Sequence, residues 1–391
     1  MSADFSAAAS ALGYIYQCEI ALLAFFRRGD PALDISIETA DDVVLHGDQL
    51  SLTQVKYEVT PGTVADASAR LWKTLRVWSS RELTQPEALL VLFTTAHAAA
   101  GSIAALLREG DARDHHAAHD RLVATARAST NVELEPAMTV FLKLPDDRRL
   151  AMVERMIVVD DQPVVSELGE AYDRALVHAA PGDRRAHVIA RIREWWLLRA
   201  ERHLDAIARG EQCRISGQEI ELKLADIRDQ LTAHSLPIDL EGMPEPTDPE
   251  VAADQRAFVI QLRLIRLQNR RIAIAVHDHN RAFAQRARWM REDLLLTGEL
   301  DTYDARLKQE WERVFLPDTE DAPALTGNAA ESRGRDVHRT CGDLVVEPIR
   351  PKVTAPYVMR GSLQLLAHRQ AIGWHPDWAS LMRQALAEAG A

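Results

Sequence analysis

Cysteine is scarce in this 391-residue chain: Cys18, Cys213 and Cys341 stand far apart with no CxxC pair, so neither a disulfide framework nor a zinc ribbon is expected. Long apolar runs are missing too. The opening MSADFSAAAS has neither the charged n-region nor the hydrophobic stretch of a secretion signal, which predicts a cytoplasmic protein without a membrane span. Positive charge is in deficit, with 46 Lys and Arg against 58 Asp and Glu and a formal net charge of -12. Residues 1–110 alone hold eight basic and thirteen acidic side chains. That excludes the broad basic footprint of a protein that grips nucleic acid tightly by itself. No internal repeat or low-complexity tract is seen, and the length leaves room for two domains with ample cores.

What is present is concentrated in residues 34–58, DISIETADDVVLHGDQLSLTQVKYE. LDISIE, DVVLH and LSLTQVKYE carry β-branched, alternating stretches, and Gly47-Asp48 supplies the turn between the last two, which predicts a three-strand meander. Side chains alternate along a strand, so Gln54 and Lys56 share one face while Thr53, Val55 and Tyr57 take the other. Carboxylates beside an amide oxygen are hard donors of the kind Mg2+ takes at about 2.0–2.1 Å. Glu38, Asp42 and Gln54 are therefore candidate ligands for Mg2+ or Mn2+. A lysine over the metal-bound water favours hydroxide and the charge developing on phosphoryl oxygens, which is the role expected of Lys56. A lone QVK is ordinarily a structural strand edge; with two carboxylates on adjacent strands it points to phosphodiester hydrolysis.

In residues 6–27, Leu12, Ile15, Leu22, Leu23 and Phe26 recur at helical spacing, opposite a face of Gly13, Gln17, Ala21 and Ala24. Such a helix can lay its small face near the sheet and bring Gln17 to the active-site edge. Past the meander, residues 66–80 read as a helix opened by Asp66, and ALLVLFTTA at 88–96 as a buried strand. Arg70, Lys73 and Arg76 on that helix are candidate phosphate contacts. His115 and His119 are one turn apart with no third metal ligand nearby, so a solvated helix is expected there. ERMIVVDD at 154–161 reads as a further strand, followed by helices to Arg209.

GYIYQCEIALLAF, SIETADDVV and LTQVK together resemble the N-terminal nuclease domain of the CD-NTase-associated double-stranded DNA endonucleases. This is a PD-(D/E)XK branch in which Gln replaces the acid of the last motif. The resemblance implies a mixed sheet flanked by helices, an active site of Gln17, Glu38, Asp42, Gln54 and Lys56, and Mg2+-dependent cleavage of double-stranded DNA. Asp42 is preferred to Asp41 because it opens the strand DVVLH, while Asp41 falls in the preceding turn.

Composition changes near residue 210, which sets expected domains of 1–210, α/β, and 211–391, mainly α-helical. Helices are expected at 217–233, 250–297 with at least one break, 300–315, 356–371 and 376–388, with a Pro-rich connector at LPIDLEGMPEPTDP and a loop at LPDTEDAPALTGNAAESRG. No catalytic constellation stands out, because the two histidines of HDHN at 277–280 do not share a helix face. GSLQLLAHRQAIGWHPDW, with Trp311 in QEWERVF, resembles the C-terminal domain of effectors in ABC-three-component defence systems, the group that includes Lamassu. That resemblance implies an SMC-like ATPase and a small middle subunit as partners. The acidic balance adds the expectation of a homo-oligomer when active. A catalytically silent adaptor and hydrolysis of RNA are the alternative readings.

Overall fold

The first helix, α1 (Ala7–Arg28), is buried nearly all round from Tyr16 to Phe25 rather than along one stripe. It packs on β1 (Asp34–Ile37) and β2 (Val43–His46) and also against α7 (Leu168–Ala175) and α8 (Gly182–Ala208). A helix covered from two sides needs apolar or small residues on both. Tyr172 Oη donates to the Glu19 carbonyl at 2.8 Å and Trp196 Nε1 to the Cys18 carbonyl at 2.7 Å, while Arg193 pairs with the Glu19 carboxylate at 2.9 Å. Ile15, expected on the buried stripe, is exposed.

The computed structural model describes residues 7–81, 87–316 and 325–389. The meander forms as expected: β1, β2 and β3 (Ser51–Lys56) are antiparallel neighbours. After β4 (Thr63–Val64) and α2 (Ala69–Arg81) the chain returns as β5 (Leu89–Thr94), parallel to β3, and β6 (His97–Ala98) pairs with β4. Helices α3 (Ile103–Leu106), α4 (His115–Ala128), α5 (Glu135–Lys143) and α6 (Asp146–Glu154) precede β7 (Met156–Val159), which is parallel to β5. α7 and α8 follow, then β8 (Ile215–Ser216) and α9 (Gly217–Gln230). The mixed sheet runs β7-β5-β3-β2-β1-β8. Val44, Leu52, Leu90 and Leu92 on one face pack with Leu71, Trp72, Leu75 and Trp78 of α2. Asp66 does not open α2; its carboxylate instead accepts the Ile103 N–H at 2.8 Å and pairs with Arg121.

The chain divides into two compact units, Met1–Arg228 and Asp229–Ala391. The expected boundary at 210/211 comes before β8, whose Ile215 pairs with Ile35, and before Gly217, where a Cβ would stand 2.3 Å from the Leu33 carbonyl. Both belong with the sheet.

The second unit is helical: α10 (Asp248–Ala253), α11 (Ala257–Leu264), α12 (Asn269–Arg291), α13 (Glu299–Phe315), α14 (Asn328–Gly342), α15 (Pro356–His368) and α16 (Trp378–Ala389). Its core gathers Phe258, Trp289, Trp311, Tyr357 and Trp374. The expected 250–297 stretch is three helices. α14 starts inside the segment expected to be a loop, of which residues 317–324 lie outside the described residues. Gly334 weakens the helical signal of α14, yet a Cβ there would stand 2.3 Å from Ile265 Cγ2, so packing requires it. Among the described residues no helix is long and apolar enough to cross a membrane.

Candidate active site

The β2–β3 ladder ends at Val43↔Thr53, but β3 continues to Lys56, paired with β5 alone. The two strands part there, which removes the ladder partner of the Val55 N–H on the β2 side. Asp42 Oδ2 takes that N–H at 2.8 Å. Because Asp42 precedes Val43 opposite Gln54, the opened notch holds Asp42, Gln54 and Lys56 along its sides. Gln54 is buried; Asp42 and Lys56 are half-buried. Lys56 makes no direct ion pair among the described residues.

The loop from β1 to β2 brings in Glu38. Its N–H donates to the Asp42 carbonyl at 3.1 Å, and its backbone is left-handed at φ 55, a conformation that disfavours a residue with a side chain. Burial, then the Asp42 and Asp41 carboxylates, push the Glu38 carboxyl above its ordinary range, and Lys56 opposes them. Two like charges near Glu38 and one lysine make a locale that favours a cation.

Asp41 has a different task. It is 6% exposed, and its carboxylate accepts the Trp78 indole N–H at 2.8 Å and the Asp42 N–H at 3.1 Å. It fastens the loop to α2. On the other side, the Ile37 N–H donates to His203 Nε2 at 3.1 Å, which leaves the His203 proton on Nδ1, facing Cys213 Sγ at 3.2 Å. Trp78 and His203 thus hold the turn from two helices, and no local sequence signal marks either of them.

α1 reaches the same edge. The Tyr16 ring lies 4.5 Å from that of Tyr57, just past Lys56, and its hydroxyl donates to the Pro163 carbonyl at 2.7 Å. Burial, then Glu19 and Glu38, push the Cys18 thiol up to about 11, so this turn of α1 feels the Glu38 charge. Gln17 lies between these two residues, half-buried, with Oε1 buried and unpaired.

The basic helix contributes less than expected. Arg70 is tied to Glu58, Nε to Oε1 at 2.5 Å, which leaves Lys73 and Arg76 exposed on α2. His119 is buried beside Asp120 and Asp146 rather than solvated. His277 meets the Met243 carbonyl at 2.9 Å, and His279 stacks on Phe258 at 4.4 Å.

Among the described residues, three ligating atoms of His, Cys, Asp or Glu come within 4.8 Å of one another at His97, Asp160 and Asp161, not at Glu38 and Asp42. There Arg108 Nε already donates to Asp160 at 2.8 Å, and the Ala98 N–H does so at 2.6 Å. The guanidinium fills the cation's role.

An α/β unit with an acidic notch and a lysine at a parting strand pair, joined to a helical unit, is the class this chain defines. Residues 258–382 match the family described as C-terminal domain 7 of the ABC-three component (ABC-3C) systems. The match implies a component of such a defence system, working with protein partners; it spans less than half of the chain and stops short of the first unit. No curated protein matches the chain.

Proposed function

We propose that the chain is the metal-dependent DNA endonuclease of an ABC-three-component complex, with the cutting chemistry in the first unit and docking in the second. The observation that carries this reading is the gathering of Glu38, Asp42, Gln54 and Lys56 where β2 and β3 part. The order α1, antiparallel meander, α2, parallel β5 supports it, being the order the PD-(D/E)XK reading calls for.

The donor set fits Mg2+ or Mn2+: the carboxylates of Glu38 and Asp42 and the amide oxygen of Gln54 are hard oxygens. When bound, the metal supplies Lewis-acid polarisation of a phosphoryl oxygen. The residues of the chain do the rest. The Val55 N–H orients the Asp42 carboxylate, as second-layer donors commonly do at metal sites. Lys56, free of a carboxylate partner, stabilises negative charge as it develops on the phosphate. The unpaired Oε1 of Gln17 accepts a hydrogen bond from the water or ligand that enters the notch.

In the second unit Phe283, Met290 and Leu296 are exposed around a groove of about 370 Å3 also lined by Leu300 and Leu365. Exposed apolar clusters of this kind mark contact faces, which supports docking to the SMC-like ATPase and the small middle subunit. With Arg70 engaged and the chain at -12, one protomer offers few phosphate contacts, so cleavage requires assembly into a homo-oligomer.

The test is incubation of purified protein with plasmid, linear DNA and RNA in Mg2+, Mn2+ or EDTA across a dilution series followed by mass photometry. Metal-dependent DNA cleavage that disappears in EDTA and on dilution to monomer is expected. Absence of cleavage in every arm leaves the silent adaptor, and constant specific activity down to monomer removes the need for assembly.

A further inference from the structure

Between α12, α14 and α15 the second unit carries an open cavity of about 250 Å3, lined by His338, Gln364, Trp374, Arg271 and Arg360 among others. It lies on none of the residues used for cleavage or docking above. Two residues of its lining each carry a buried polar atom without a hydrogen-bond partner: Nε1 of Trp374 and Oε1 of Gln364. The two residues are 0% and 5% exposed.

The indole is the telling one. Trp72 donates to the Asp66 carbonyl, Trp78 to the Asp41 carboxylate, Trp196 to the Cys18 carbonyl, Trp289 to the Pro237 carbonyl and Trp311 to the Gly373 carbonyl. Trp374 alone among the described buried tryptophans keeps its N–H unmet. A buried donor without an acceptor destabilises the fold, and the Gln364 oxygen adds a second cost of the same kind. Turning the Gln364 amide over only exchanges which of its atoms faces His338 Nε2, now 3.3 Å from Nε2 of the amide, and leaves the other unmet. The His338 ring stands at 85° to Trp374 with centroids 4.9 Å apart.

Charge at the mouth has one prevailing sign. Arg271 and Arg360 are exposed and make no ion pair among the described residues; Arg360 donates only to the Gly342 carbonyl. Arg339 is engaged by Asp336, and the Asp278 carboxylate by Arg281, which leaves Asp343 as the one acidic group of the rim without a carboxylate-to-arginine bond. A ligand that suits this cavity is flat, offers an acceptor and a donor close together on one edge, and carries an anion outside.

We propose that the cavity binds a nucleoside monophosphate, its base edge meeting the Trp374 N–H and the Gln364 amide and its phosphate reaching Arg271 and Arg360. The volume takes a base and leaves sugar and phosphate at the mouth. This site is independent of the nuclease reading and stands whether or not the first unit cuts DNA.

Isothermal titration of the full-length protein with AMP, GMP, CMP and UMP, with inorganic phosphate and the free nucleosides as controls, tests it. At least one mononucleotide binds with measurable heat, phosphate alone does not, and the free nucleoside binds more weakly. Arg271→Glu and Arg360→Glu, both on the surface, weaken binding about tenfold or more by removing charge-assisted contacts. Gln364→Leu abolishes it with the helical circular dichroism unchanged. Failure of all four nucleotides to bind overturns the proposal. Binding unaffected by either arginine variant, or matched by inorganic phosphate, overturns the assigned place or the ligand class.

Discussion

Asp42 Oδ2 holds the Val55 N–H at 2.8 Å across the point where β2 and β3 separate, while its neighbour Asp41 is turned to the Trp78 indole. The two adjacent aspartates therefore separate in variants. Asp42→Asn keeps an acceptor for Val55 but loses the charge, so DNA cleavage should fall by on the order of 10²-fold or more with the melting temperature little changed. Asp41→Ala strands a buried indole N–H and should cost roughly 1–3 kcal/mol of stability. Melting curves beside a cleavage assay decide it; a dead Asp41→Asn with an active Asp42→Asn would reverse the assignment.

Lys56→Ala removes the cation beside Glu38 without touching a hydrogen bond or an ion pair of the described residues. Cleavage should drop by on the order of 10²-fold or more while circular dichroism and melting stay near wild type. Full activity in this variant would move the reaction centre away from the notch.

The strands were legible in the sequence, for a physical reason: they follow from local alternation and turn residues, so the meander could be read from residues 34–58. What escaped was set by partners far along the chain. Ile15 looked buried because its spacing fits a stripe, but α1 is covered without a break only from Tyr16 onward, where α7, α8 and the sheet close on it. Arg70 looked free because Glu58 reaches it from the end of another element. Trp78 and His203 hold the Glu38–Asp42 turn from positions with no pattern of their own. The helix at Asn328–Gly342 was hidden by Gly334, a residue that packing against Ile265 demands and that helical propensity penalises.

Truncation distinguishes the structural boundary from the compositional one. A chain ending at 228 should fold as a cooperative unit, whereas one ending at 210 loses β8, bares the edge of β1 beside Ile35 and should melt lower. Thermal melts followed by circular dichroism on both chains check this. Equal melting temperatures would mean that β8 and α9 contribute nothing to the first unit. The 228 truncation should also fail to co-purify with the proposed partners.

Gly361 lets α12 and α15 touch. A Cβ there would stand 2.1 Å from the Asp278 carbonyl and 2.4 Å from the Ala282 methyl carbon. In an exposed helix Gly→Ala stabilises by roughly 0.5–1 kcal/mol. Here the sign reverses: Gly361→Ala should cost roughly 1–3 kcal/mol through overpacking, read as a lower denaturation midpoint of the second unit. A midpoint that rises would show that the two helices separate freely.

The second unit should also weaken as pH falls, because of His279. Arg256 Nη1 donates to His279 Nδ1 at 3.0 Å, which requires a lone pair on that nitrogen and therefore a neutral ring with its proton on Nε2. The ring is 5% exposed, stacked on Phe258 at 4.4 Å and edge-on to His368 at 5.9 Å. Burial first, then Arg256, lowers its pKa from the ordinary 6.5 to about 4. Above the ordinary value neither the folded nor the unfolded chain carries this proton, and the group contributes no pH dependence. Between the two values the unfolded chain takes up a proton that the folded chain refuses, so stability falls as pH falls, by at most about 1.4 kcal/mol per pH unit from this group. Carboxylates titrate in the lower part of the same window, so the comparison is with His279→Phe, which keeps an aromatic ring against Phe258 and removes the titration. Denaturant midpoints measured from about pH 7.5 down to about pH 4.5 should fall more steeply for wild type than for the variant. Parallel slopes would mean that His279 takes up its proton in the folded protein as readily as in the unfolded chain, with Arg256 moving aside.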